Sequence, residues 1–109
     1  MQTFVRAEDF PFTELGGGTR RRIGCYNEEM MLVEVRFDEG AVGSDHSHPH
    51  TQISYVMEGE FTYHIEGEAR CMAKGDSIVV PGGKVHGCTC RKAGTLLDVF
   101  NPMREDFVG

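Results

Sequence analysis

Five histidines occur in the 109 residues, and three of them stand where an extended chain can aim them at a single point. His46 and His48 lie in the run Ser44-Asp-His-Ser-His-Pro-His-Thr-Gln52. Side chains of like parity share one face of a strand, so two imidazoles point the same way and the amide of Gln52 follows them. The third, His86, closes the turn-rich segment Gly75-Asp-Ser-Ile-Val-Val-Pro81-Gly-Gly83-Lys-Val-His86. Imidazole nitrogen is a good ligand for zinc, nickel, copper, iron or manganese, and a neutral amide oxygen leaves the ion's Lewis acidity largely intact. The chemistry on offer is that of one divalent transition-metal ion with open positions, and these donors suit each of those metals. Two readings fit Gln52: it ligates, or it points away and leaves a three-histidine site. His50 shares the parity but follows Pro49, which constrains the path, and it is read as a residue outside the ligand set. His64 is read as an ordinary strand histidine.

Strands must carry these groups. Met30-Met-Leu-Val-Glu-Val-Arg-Phe37 places Val33, Val35 and Phe37 on one face, and Ile53-Ser-Tyr-Val-Met57 is a second strand. Glu58-Gly59 is read as a hairpin turn into Glu60–Ile65, and Glu66-Gly67 as another into Glu68–Met72. Ser77–Val80, Val85–Cys90 and Thr95–Phe100 follow. Short strands, glycine turns and no amphipathic helix predict an all-β barrel or sandwich whose open mouth suits a metal and a ligand. Residues 1–18 read as an extended arm with a hinge at Gly16-Gly-Gly18. Its Phe4, Phe10 and Phe12 are expected to pack on the body or on a second subunit, most simply in a homodimer. Arg20-Arg-Arg22 reads as a solvated edge strand, or as a source of one arginine for an anionic ligand.

The chain length sets one domain. A net charge of −6 argues against a nucleic-acid surface, while local arginines leave an anionic small molecule open. There is no bilayer-spanning run and no secretory core at the N-terminus, so the expected compartment is the cytoplasm and no membrane partner is expected. The four cysteines, Cys25, Cys71, Cys88 and Cys90, are then read as free thiols. Cys88 and Cys90 read as small core residues in preference to ligands or a redox pair.

Gly40, His46-x-His48, Gln52 and Gly59 resemble the first cupin motif (residues 40–59), with Gln52 where most cupins carry a metal-binding Glu. Gly75, Pro81-x-Gly83 and His86 resemble the second (75–90), with Cys90 where Asn is usual. The resemblance implies a single-domain cupin, a double-stranded β-helix or jelly-roll barrel over 19–109, with His46, His48, Gln52 and His86 around the metal. The C-terminal run Asp98-x-Phe100-x-x-x-Arg104 is similar to that of pectin-degradation cupins of the KdgF type. These convert 4,5-unsaturated monouronates, from pectin or alginate breakdown, to linear keto sugars. Asn101 and Met103 depart from that pattern.

That likeness implies a metal-dependent enzyme acting on a small anionic sugar. Asp98 and Arg104 would be catalytic, and Phe100 and Arg104 would bind substrate. Each has a plainer reading: a barrel-end carboxylate, a core ring and a tail arginine in a surface ion pair. Two other classes stay open, a quercetinase-like metal-dependent dioxygenase and a non-catalytic sugar-acid-binding cupin. Fold alone does not establish activity.

Overall fold

Met31-Leu-Val-Glu-Val-Arg-Phe37 alternates as its pattern predicts: Met31, Val33 and Phe37 are buried while Leu32 and Arg36 face out. The same logic sets the eight strands of the computed structural model, which describes residues 3–108. They are β1 (Thr13–Gly16), β2 (Thr19–Tyr26), β3 (Met31–Phe37), β4 (Val42–His46), β5 (Thr51–Ile65), β6 (Glu68–Ala73), β7 (Ser77–Val80) and β8 (His86–Asn101). All pairings are antiparallel, in the order β1-β2-β3-β8-β5-β6, with β4 on β8 and β7 on β5. A 3-10 turn at Ala7–Asp9 and a short helix α1 (Glu105–Val108) complete the elements.

The frame is the pair β5 and β8, of 15 and 16 residues, which run together through both halves of a jelly-roll barrel. One half adds β7 and β3 with the hairpin β1-β2, and the other adds β4 and β6. This corrects the expectation of a hairpin at Glu58-Gly59. Gly59 (φ +85°) marks a bend with shifted register, and β5 continues through it. Here the chain crosses so closely over β8 that a Cβ on Gly59 would lie 2.5 Å from the Lys92 carbonyl oxygen. Glycine signals a bend and a turn alike in sequence, because both need the same backbone freedom. Across the bulge the buried parity of β5 changes from Gln52, Ser54 and Val56 to Phe61 and Tyr63. Likewise Val85–Cys90 and Thr95–Phe100 are two ends of the one strand β8.

The arm also differs from expectation. Thr13–Gly16 pairs with β2, and Gly17 and Gly18, at φ +63° and +84°, form a tight turn in place of a hinge. The first two arm residues lie outside the described ones. Phe12 packs on the guanidinium groups of Arg22 and Arg36, 4.9 and 4.3 Å from its ring centre. The Glu66-Gly67 hairpin is as expected, with both residues at positive φ.

Inside, the apolar core is centred on Phe37, Val56, Phe61, Val80, Cys90 and Leu96, with the Phe37 and Phe61 rings edge to face at 5.2 Å. A smaller cluster of Met31, Val33 and Phe100 lies under Met103 and Phe107 of the C-terminal tail. No helix among the described residues is long and apolar enough to cross a membrane.

Candidate metal centre at the barrel mouth

Residues directly opposite on β5 and β8 form layers. Val56 faces Leu96 and Phe61 faces Cys90; one layer up, Ser54 faces Asp98 and Tyr63 faces Cys88; above that, Gln52 faces Phe100 and Ile65 faces His86. β4 ends on the same rim, where His46 pairs with His86. His48 follows in the loop to β5, so both histidine segments reach one place.

One ligand atom each from His46, His48 and His86 lies within 4.8 Å of the others. His48 and His86 are buried and His46 is exposed at the rim. Each Nδ1 faces a backbone carbonyl: Ser44 at 2.8 Å from His46, His50 at 3.1 Å from His48, and Lys84 at 3.0 Å from His86. A carbonyl only accepts, so each Nδ1 carries the proton and each Nε2 of a neutral ring presents a lone pair. Burial pushes the pKa values of His48 and His86 below the ordinary histidine value, favouring the neutral ring. The Oε1 atom of Gln52 sits 2.9 Å from Nε2 of His48 and 3.2 Å from Nε2 of His86. Acceptors thus converge with no proton between them, an arrangement that fits a cation. The backbone carbonyls are the outer partners that fix ring tautomer and direction in metal sites. The donor set accommodates a divalent metal ion, and it includes every ligand named from the sequence.

Gln52 is itself held. Its Nε2 donates to Ser54 Oγ at 3.0 Å, turning Oε1 toward the histidines. Ser54, fully buried, donates to Asp98 Oδ1 at 2.6 Å and lies 3.2 Å from the Tyr63 hydroxyl. A hydroxyl has one proton, so with that proton on Asp98 the Tyr63 hydroxyl must donate to Ser54. Burial pushes the Asp98 carboxyl up to about 6, against the lowering effects of Ser54, Gln52, His46 and Arg104. Burial also raises the Tyr63 phenol well above its ordinary value.

Asp98, Phe100 and Arg104 line one cavity of about 370 Å³ together with His46, Gln52 and His86. Arg104 stacks on Phe100 and Phe107, 5.1 and 4.2 Å from their ring centres. Its Nε and Nη2 both donate to Asp106, at 3.0 and 2.8 Å. The plain reading of Arg104 is thus partly realised, since it has an ion pair, yet its side chain is only 11% exposed and lies in the cavity wall.

Sequence reasoning did not find Ser54, Tyr63, Asp106 or Phe107. Only Ser54 carried a signal, the parity it shares with Gln52. His50 lies outside the ligand set and ties its loop to the tail, with its Nε2 3.1 Å from the Met103 carbonyl oxygen. His64 reaches Asp45 at 3.3 Å. All four cysteines are free, Cys88 and Cys90 buried and Cys25 and Cys71 exposed.

Comparison with known proteins agrees with this architecture. The cupin domain model matches residues 33–100. The chain is 37% identical to the pectin degradation protein KdgF of Dickeya dadantii (strain 3937), over 99% of this chain and the whole of that protein. Among solved structures, an RmlC-like cupin from Shewanella frigidimarina superposes with a TM-score of 0.94 at 41% identity, covering 98% of this chain and 96% of the other. KdgF from Halomonas sp. gives 0.92 at 34% identity, covering 96% and 99%. With the jelly-roll, the two glycine frames and the converging histidines in place, the chain belongs to the cupin family, as a small single-domain member similar to KdgF.

Proposed function

We propose that this cupin is an enzyme of pectin breakdown that opens the ring of 4,5-unsaturated monouronates. The observation that carries the reading is the joining of the metal-binding cluster to Asp98, through Gln52 and Ser54, in one cavity walled by Phe100 and Arg104. The likeness to two proteins named KdgF supports it.

The substrate is a cyclic enol ether bearing a carboxylate. Ring opening needs a proton at C4 and water at C5; the resulting hemiketal then breaks its C5–O5 bond to give a C5 ketone. Asp98 is suited to the proton transfer because burial lifts its pKa toward neutrality, so the carboxyl can give up a proton and recover one from the attacking water. Ser54 fixes the Asp98 carboxyl by donating to Oδ1, which leaves the other oxygen for the substrate. Phe100 offers an apolar face to the sugar ring, and Arg104, stacked on it, adds positive charge to the wall of a cavity meant for an acidic sugar. His46, His48, His86 and Gln52 would hold a divalent ion, which would supply Lewis acidity at the cavity and a template for the sugar hydroxyls.

The test is the 4,5-ene absorbance. Metal-loaded protein mixed with unsaturated galacturonate is expected to abolish it, and His48→Ala and Asp98→Ala both to slow the loss. Persistence of the absorbance with fully metal-loaded wild-type protein would move the assignment to a sugar-acid-binding cupin. A dioxygenase would be favoured by Asp98 and Arg104 turned away from the cavity, whereas both line it.

A further inference from the structure

The arginine triplet of β2 divides by strand alternation. Arg20 and Arg22 point outward to carboxylates, Arg20 to Asp38 at 3.4 Å and Arg22 to Glu34 at 3.0 Å. Arg21 sits opposite Val35 and points inward, into the cavity that holds His46, His86, Asp98 and Arg104. Its guanidinium stacks on Phe107, 3.9 Å from the ring centre, and Arg104 stacks on the same ring.

The two inward arginines differ in how they are satisfied. Arg104 spends Nε and Nη2 on Asp106, closing the two-pronged edge that best matches a carboxylate. Arg21 makes no ion pair and no side-chain hydrogen bond among the described residues. It is a partly desolvated cation, with its pKa lowered by burial and by Arg104 and only partly offset by Asp106. Asp106 is taken by Arg104 and the Asp98 carboxyl is held by Ser54, so the Arg21 charge is left unpaired facing the cavity, in a chain whose net charge is −6. Partly buried charges that lack a protein partner are costly, and a site that receives an anion removes that cost.

We propose that Arg21 is a specificity-determining residue: its guanidinium receives the carboxylate of the sugar acid, so that the cavity selects uronates over neutral sugars. This rests on the uronate reading and refines it. Arg104, locked by Asp106 and stacked on Phe100, shapes the wall against which the ring lies, and Arg21 supplies the open donors.

The test uses a ligand that cannot react, so it is independent of turnover. Binding of saturated galacturonate and of galactose to the metal-loaded protein is measured by calorimetry. Wild-type protein is expected to prefer galacturonate. Arg21→Gln should weaken galacturonate by about tenfold or more, as for loss of a charge-assisted hydrogen-bonded pair, and leave galactose unchanged. Arg21→Lys, which keeps the charge but not the fork, should lose several-fold and serves if the neutral variant does not fold. A wild-type preference that persists undiminished in both variants overturns the role of Arg21 alone. If wild-type protein shows no preference, the uronate reading falls as well.

Discussion

At the closed end of the barrel the inward side chains of β5 and β8 are Val56 against Leu96 and Phe61 against Cys90. Two residues further toward the mouth, on the same strands and in the same register, they are Ser54 against Asp98 and Tyr63 against Cys88. Backbone geometry is shared, so side-chain chemistry alone separates the two ends. Each floor residue is satisfied by contact with many neighbours, and the loss of one is a packing loss. In the mouth, Gln52, Ser54, Tyr63 and Asp98 satisfy one another in a chain of single hydrogen bonds, and the loss of one leaves another without its partner. Stability should therefore reside below the Ser54 layer, and function at and above it.

The sharpest way to break that division is Asp98→Asn. On the proposed mechanism it lowers the ring-opening rate by about 10²–10⁴, the range for losing a general acid. Stability should move the other way. The folded-state pKa of Asp98 is raised from 3.8 to about 6, so the fold binds this proton more tightly than the unfolded chain does. That contribution is complete below the lower value and is lost as pH rises through the higher one. At pH 7 the ionised carboxylate works against the fold, and the metal-free Asn variant should melt at or above the wild-type temperature. The difference between the two melting curves should turn against the variant in acid. A variant that melts well below wild type at pH 7 would put stability in the mouth after all.

Phe61→Ala is the converse. Phe61 is fully buried between Phe37 and β8, and its removal should cost about 3–5 kcal/mol. Denaturant unfolding measures the loss, while metal content and rate per folded molecule stay near wild type below the new melting point. Parallel loss of metal would show that the floor also shapes the site.

The split between the ends bears on what the sequence disclosed. His46, His48 and His86 stood out because metal ligands need particular atoms at particular spacings, and such demands leave few alternatives. Asp98, Phe100 and Arg104 were named through a family likeness, and all three line one cavity. Ser54 and Arg21 were harder to see. Serine in a strand and arginine in a basic triplet are ordinary until register says which way each one points. That register depends on the bulge at Gly59, which sequence rules read as a turn, and so Tyr63 was lost from the inward set as well. Asp106 and Phe107 belong to a tail whose return over the mouth is a tertiary event with no periodic signal.

Ser54→Ala probes the hinge between the two regions and should have an intermediate effect. Without Oγ, the Gln52 amide loses the contact that turns Oε1 toward His48 and His86, and Asp98 loses its donor. Outer partners of metal sites are typically worth 10–100-fold in affinity or activity, and a loss of about that size in metal affinity is expected by competition with a chelator. Ser54→Thr keeps the hydroxyl and should restore most of it. If both variants bind metal like wild type, Gln52 is not held by this chain.

The smallest effect belongs to the cysteines, and it tests whether the floor is closed. Cys88 and Cys90 are 4% and 1% exposed, and burial raises both thiols, Cys88 to about 12. The thiolate is the reactive form, so both geometry and charge protect them. Cys25 and Cys71 are exposed. Iodoacetamide at pH 8 should therefore label Cys25 and Cys71 in the native protein, with Cys88 and Cys90 reacting only after unfolding, as read by mass spectrometry of digested protein. Protein labelled in this way should retain the full ring-opening rate of the proposed reaction, because neither exposed thiol lines the cavity. Cys88 is the informative one, since it touches the cavity from the layer that also holds Ser54 and Asp98. Should it react natively at the rate of Cys25, water reaches the Ser54 layer, and the same outcome at Cys90, one layer deeper, would show that the floor is open.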